Sequence, residues 1–469
     1  MGWQMYRCAR ILLPALVSLL AGCGAQAPSV TSAPPTASMP APTTPPSAAP
    51  AGVPGFIPDL DRMQEDLAAL QAIADANGGI RAAGTPGYEA SVDHVAARLR
   101  ELGFSVETPD VAFTGFRELP GARLVIGART FTGSDELRAL IYSPSGDLRG
   151  PVAVLDESGC QSNHFDDVAP GAVVLTTMGG CFRRDQAINA QEAGAGALLI
   201  GYPDRGPGEI FRPTLIDPVA VEIPVISVTA EAVDVLRAAS GDEARVVVET
   251  EREPATMRNV IAQFGEGPSV VMLGGHLDSV FDGPGINDNG SGVAALLEIA
   301  RGFVEAGVPD GGAIRIGIWG GEELGTIGSR AYVEGLTDEI AAYLNLDMAG
   351  SLNGATLIYA EDQAATGSER VTEAYEAWFA QRDEVTERVD LGGSSDHFGF
   401  IVAGIPTGGL FAGATESGSA ANPGSGTGGE PADACYHLAC DDLDNVDLER
   451  VALFAEATHA VALALLDAD

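Results

Sequence analysis

Several short runs of this chain put histidine or carboxylate residues directly after apolar stretches. His276-Leu277-Asp278 follows the run at 270–275, and Glu322-Glu323 follows residues 314–321. Asp347 closes residues 343–346, and Asp288 sits in the loop Gly285-Ile286-Asn287-Asp288-Asn289-Gly290-Ser291-Gly292. Near the end comes Cys435-Tyr436-His437-Leu438-Ala439-Cys440-Asp441. Two histidines and three carboxylates are a donor set suited to two Zn²⁺ ions, with one carboxylate bridging. Each residue alone has a plainer reading. His276 could be a satisfied core or surface histidine, Asp278 and Asp288 turn residues, and Glu322-Glu323 a solvated helix start. Asp347 is harder to dismiss, because burying a lone carboxylate is costly. Their joint occurrence at successive strand ends favours a metal site.

The elements that must position these residues can be read from periodicity. Apolar runs at 270–273, 314–319 and 342–346 predict strands, and spacing predicts helices over 290–303 and 374–381. Strands alternating with helices argue an α/β sheet covered on both faces, and such sheets gather ligand groups at the carboxyl ends of their strands. Upstream, Leu60, Met63, Leu67 and Leu70 mark one helix. A second runs from Tyr88 to Leu102, stopped by Gly103 and followed by a strand at 104–108. Between about 115 and 251 the texture changes to short β-rich runs: strands at 151–155, 171–175 and 196–200, and a helix at 186–193.

Composition narrows the chemistry. The 469 residues suggest roughly two to four domains, and 46% hydrophobic against 19% charged is enough to bury a core. Lys+Arg is 26 against Asp+Glu 65, a net charge of −39, which argues against a nucleic-acid partner. The chain contains no lysine, so Schiff-base and P-loop chemistry are excluded.

The amino end reads as an export signal: Arg7 and Arg10, then an apolar run over 11–20, too short to span a bilayer. Leu20-Ala21-Gly22-Cys23 resembles a bacterial lipobox, in which Cys23 is lipidated and anchors the chain without spanning the membrane. The alternative is an ordinary cleaved signal with a chance cysteine. Residues 24–56, rich in Ala, Pro, Ser and Thr, read as a disordered tether. Cys160 with Cys181 and Cys435 with Cys440 form two local pairs, which in an exported chain favours disulfides over four free thiols.

Family motifs overlie these residues. Gly275-His276-Leu277-Asp278-Ser279-Val280, the Gly285–Gly292 loop, Gly321-Glu322-Glu323-Leu324-Gly325, Asn345-Leu346-Asp347-Met348, Ser395-Asp396-His397 and Cys435-Tyr436-His437 occur in order, with Arg81-Ala82-Ala83-Gly84-Thr85-Pro86-Gly87-Tyr88 upstream. Together they resemble the secreted di-zinc aminopeptidases of the leucyl aminopeptidase and aminopeptidase Y group. The segment carrying Cys160, Asp166-Asp167, Gly171-Ala172-Val173-Val174-Leu175, Gly180-Cys181-Phe182 and residues 189–195 resembles a protease-associated (PA) domain. The resemblance implies a mixed, mostly parallel sheet sandwiched by helices, with that β-rich domain inserted.

It also implies roles. His276 and Asp347 would bind one zinc, Glu323 and His437 the other, with Asp288 bridging. Glu322 would be the general base toward a metal-bound water, Tyr436 would hydrogen-bond the oxyanion, and the Asp278 carboxylate would orient the His276 ring. His397 could be a ligand from its residue type alone; the resemblance places it beside the pocket and gives that role to His437. Phe411 would wall an apolar side-chain pocket, with ordinary core as the equal alternative. Close relatives carry an arginine immediately before Ser-Asp-His where this chain has Ser394, so recognition of the amine end is expected to differ.

The domains expected are a signal with lipobox (1–23), the tether (24–56), a first peptidase part (57–118), the PA domain (119–252) and the main peptidase part (253–469). The expected molecule is an extracytoplasmic, lipid-anchored, monomeric aminopeptidase acting on peptides, with two Zn²⁺ per subunit; calcium in its acidic loops stays open. Rival readings are a carboxypeptidase or glutaminyl cyclase on the same fold, and a non-catalytic peptide-binding lipoprotein.

Overall fold

The computed structural model describes residues 55–202, 210, 212–216, 218–415 and 431–466; Cys23 and nearly all of the tether lie outside this range. Two eight-stranded sheets carry the described chain. The peptidase sheet runs, edge to edge, Ser105–Glu107, Val260–Phe264, Gly312–Trp319, Ser269–His276, Ala342–Asp347, Thr407–Phe411, Thr356–Tyr359 and Thr386–Val389. Its middle strands, from Gly312–Trp319 to Thr407–Phe411, are parallel, while the strands beyond them bring in antiparallel pairings. The central strands are buried almost throughout, as expected of strands covered on both faces. Helices Leu60–Ala76, Pro86–Glu101, Gly292–Ala306, Ser368–Ala380 and Leu448–Leu466 pack together, and Ile327–Glu334 with His397–Val402 form a separate pair.

Local chemistry starts these helices where the pattern predicts. Asp59 caps the first, its carboxylate accepting the Arg62 N–H at 3.2 Å. Thr85 caps the second, with Pro86 in the first turn. The helix expected over 290–303 begins only at Gly292. Residues Ile286–Ser291 form a tight turn instead, because Gly285 enters at φ 67° and the side chains of Asn287, Asn289 and Ser291 bond neighbouring backbone. The helix expected over 374–381 starts earlier, at Ser368. The short strands Thr356–Tyr359 and Thr386–Val389 carry little periodic signal and lie outside the strands that the apolar pattern predicts.

The insert leaves and returns along one antiparallel ribbon, Asp110–Glu118 with Thr250–Arg258, in which Glu118 faces Thr250. Beyond it lies the second sheet: Arg129–Thr132, Arg123–Ile126, Glu243–Val248, Gly146–Val154, Val173–Thr177, Ala197–Gly201, Val225–Val228 and Leu137–Ala139. Helices Arg183–Glu192 and Ala230–Ala238 accompany it. Phe56, at the end of the expected tether, already packs on the body, its ring 4.5 Å from that of His459.

Candidate metal centre

Adjacent parallel strands deliver two of the expected ligands. His276 is the last residue of Ser269–His276 and Asp347 the last of Ala342–Asp347. The strands come this close because residue 275 is glycine: a Cβ there would stand 2.4 Å from the Leu346 carbonyl. Glu322 and Glu323 follow the third neighbour, Gly312–Trp319. Asp288 comes from the tight turn and His437 from the loop closed by the Cys435–Cys440 disulfide, where His437 holds φ at 61°. Cys160 and Cys181 are also joined.

These side chains converge as two half-sites. His276 Nε2 lies 3.2 Å from Asp288 Oδ1 and 3.3 Å from Asp347 Oδ1. His437 Nε2 lies 3.1 Å from Asp288 Oδ2 and 3.1 Å from Glu323 Oε2. Asp288 therefore offers one oxygen to each half. Two donors on a tetrahedral zinc, with bonds of about 2.0–2.1 Å, stand about 3.3 Å apart, so the histidine–carboxylate separations in each half match an edge of such a site, and ligand atoms of His276, Asp288 and Glu323 all lie within 4.8 Å of one another. Glu323 Oε1 is buried with no hydrogen-bond partner, a cost that metal ligation removes.

The electrostatics point the same way. Burial pulls both imidazoles down, yet Asp347 and Asp288 raise His276 well above its ordinary value, and Glu323 with Asp288 raises His437 to about 10. Burial pushes Asp288 up, but bonds from His276 and His437 outweigh it and hold its carboxyl low. Burial raises Glu323 to about 7 and Glu322 well above the carboxylate range; His276 opposes the latter, and Glu323 and Asp347 add to it. Three carboxylates and two histidines thus form a buried pocket that stabilises positive charge, and the donor set fits zinc.

The remaining expected residues sit as follows. Glu322, Tyr436 and Ser394 line a cleft of about 930 Å³ that opens over the half-sites. The Tyr436 ring stacks 3.8 Å from that of His437. Phe411 is buried beneath, packed with Met348, Leu357 and Tyr359 and touching the same cluster as Tyr436; it is core rather than cleft wall. His397 is buried away from both half-sites, its Nε2 3.1 Å from Glu361 Oε1 and its ring against Tyr359. One expected contact is corrected. His276 Nδ1 meets the backbone carbonyl of Asp278 at 3.0 Å, while the carboxylate stands 3.8 Å away. That carboxylate instead accepts the N–H groups of Glu322 (3.2 Å) and Glu323 (3.4 Å), so it orients the Glu pair as the carbonyl orients the ring.

The patterns of two families fall on these elements: Peptidase family M28 matches residues 259–462, and the PA domain matches residues 148–236. Over 415 residues the chain is 40% identical to the probable lipoprotein aminopeptidase LpqL of Mycobacterium tuberculosis, covering 82% of this chain and 81% of that one. It is 35% identical over 420 residues to an aminopeptidase of Pseudomonas aeruginosa, covering 83% and 78%. The chain belongs to peptidase family M28. Among solved structures, this M28 chain resembles the aminopeptidase from Aneurinibacillus sp. strain AM-1 (TM-score 0.69, 25% identity, 86% of this chain and 93% of that one). It likewise resembles BSAP, a zinc aminopeptidase from Bacillus subtilis (TM-score 0.66, 25% identity, 87% and 95%).

Residues that sequence reading left without a role build the support of this M28 centre. Asp441 Oδ1 accepts the Asn287 N–H at 2.8 Å and Oδ2 the Asp288 N–H at 3.0 Å, while Asn445 and Asp433 complete the network. Burial lifts the Asp441 carboxyl to about 7. Asn289 Oδ1 accepts the Met348 N–H at 3.1 Å, and its amide donates to the Leu346 carbonyl at 2.9 Å, joining the Asp288 turn to the Asp347 strand. Arg81 is fully buried and donates to the carbonyls of Leu277, Pro284 and Gly285. Its position in a Gly-rich motif, and that of Asp441 next to a cysteine, were the available signals.

Proposed function

We propose that this M28 zinc aminopeptidase removes the first residue of peptides at a centre holding two zinc ions. His276 and Asp347 would hold one, His437 and Glu323 the other, and Asp288 both. The observation that carries this reading is the division of the two Asp288 oxygens between the two histidines. Zinc held there supplies Lewis-acid polarisation of the scissile carbonyl and lowers the pKa of an attacking water. Glu322, on the cleft wall, would accept the proton of that water and pass it to the leaving amine. Tyr436, whose hydroxyl burial keeps protonated, donates to the developing oxyanion. Asp278 fixes the Glu322-Glu323 backbone and, through its carbonyl, the His276 ring.

The exported, lipid-anchored setting belongs to the same reading. The lipobox-like Cys23 lies outside the described residues, the two disulfides suit an oxidising compartment, and among the described residues no helix is long and apolar enough to cross a membrane. The test is zinc-loaded protein offered a leucyl anilide, its N-acetylated form and a carboxyl-end substrate. Release from the first alone supports an aminopeptidase; release from either of the others overturns it.

A further inference from the structure

Of the ten large apolar side chains that stay exposed among the described residues, four face one cleft. Met178 (56% exposed) and Phe182 (46%) stand on the inserted domain, and Phe398 (41%) and Val402 (73%) on the peptidase body. The same cleft reaches Glu322, Glu323, Tyr436 and His437. Exposed apolar side chains scattered singly need no explanation, but a gathered set marks a binding surface. The insert's wall is built rather than loose. Met178 and Phe182 lie between the strand Val173–Thr177 and the helix Arg183–Glu192, Cys181 is bonded to Cys160, and the Arg183 guanidinium donates to the carbonyls of Gly179 (2.8 Å) and Cys181. Such preorganisation lowers the ordering cost of a ligand.

The size of the cleft decides which part of a substrate it serves. At about 930 Å³ it stands near the top of the range of about 300–1,000 Å³ usual for ligand clefts. An enzyme that removes one residue from the amino end has a single side chain on that side of the scissile bond. Room for several residues therefore belongs to the leaving side.

We propose that the cleft between the two domains is a leaving-side subsite that selects peptides with large apolar side chains beyond the scissile bond, read by Met178 and Phe182 against Phe398 and Val402. The proposal rests on the aminopeptidase reading above. Its test uses two peptides with one scissile bond, Leu-Gly-Leu-Phe amide and Leu-Gly-Ser-Ser amide, so that the chemistry cancels. The wild-type protein should favour the first by about tenfold in kcat/KM, the scale of one well-buried apolar side chain. In the double variant Met178→Ser, Phe182→Ser, whose exposed positions leave the core intact, that ratio should fall toward one. Equal rates in the wild type, or an unchanged ratio in the variant, overturn the proposal. So does light scattering in which the variant loses a dimer while the ratio holds, which would assign the patch to a second copy. If zinc-loaded wild type releases leucine from neither peptide, the aminopeptidase reading fails instead. Binding then decides the subsite: by titration calorimetry, N-acetylated Leu-Gly-Leu-Phe amide should bind the double variant about tenfold more weakly, and equal affinities overturn it.

Discussion

The molecule sets two eight-stranded sheets side by side and treats charge in opposite ways. In the insert, the buried polar groups of the described residues are Ser, Thr and Gln with the single cation Arg212, and no carboxylate is fully buried. In the peptidase body, Asp278, Asp288, Asp396, Asp433 and Asp441 are buried beside His276 and His397. Both sheets have hydrophobic interiors, so strand number and burial do not distinguish them. What differs is the carboxyl edge of three adjacent parallel strands, where buried carboxylates and histidines gather within hydrogen-bond distance of one another.

Breaking the contrast most severely means removing the cation. Exhaustive chelation should abolish turnover and lower the unfolding temperature, with both restored by zinc, because the ion binds only the folded centre; a fully active metal-free preparation would end the metal reading. Next, Glu322→Gln should keep its zinc by elemental analysis while kcat falls by about 10²–10⁴; a near-normal rate would remove Glu322 from its role. The two candidate histidines then separate. His437→Ala should lose zinc, whereas His397→Ala should keep it and lose about 1 kcal/mol of stability, because Glu361 gives up the His397 bond but still accepts the N–H groups of Leu391 and Gly393. The reverse pattern would exchange the assignments.

Finer changes sharpen the same comparison. Asp441→Asn replaces an acceptor of two backbone N–H groups and should weaken zinc binding about 10–100-fold in a competition titration; unaltered affinity would reduce the Asp441 network to ordinary packing. The smallest effect concerns a histidine on the apolar side of the body. His459 lies between Phe56 and Phe303, and burial lowers its pKa from 6.5 to about 4. Its contribution is complete above pH 6.5. As pH falls toward 4 the unfolded chain takes a proton that the fold refuses, so stability drops by about 1.4 kcal/mol per pH unit from this residue. Urea unfolding at pH 4.5 and 6.5 should show a shallower difference in His459→Leu; an identical difference would assign the slope elsewhere.

The candidate site was legible because ligand types recur at strand ends and strand ends are readable from apolar runs: His276 and Asp347 close strands whose periodicity is plain. The supports were not legible. Asp441 and Asn289 sit in loops without periodicity, and their partners lie 153 and 59 residues away in the chain. His397 shows the converse, a residue type that suits a metal but pairs with Glu361 in the fold.

By itself the sequence determined the α/β order, the inserted β-rich segment, the absence of lysine chemistry and the histidines and carboxylates that are candidates for zinc, because composition and periodicity are local properties. Only the tertiary structure decided that Asp288 divides its oxygens between two histidines, that Asp278 orients His276 through its carbonyl, and that an apolar wall of the insert faces the centre. Those facts depend on distances of about 3 Å between segments far apart in the chain, and such distances are set by packing.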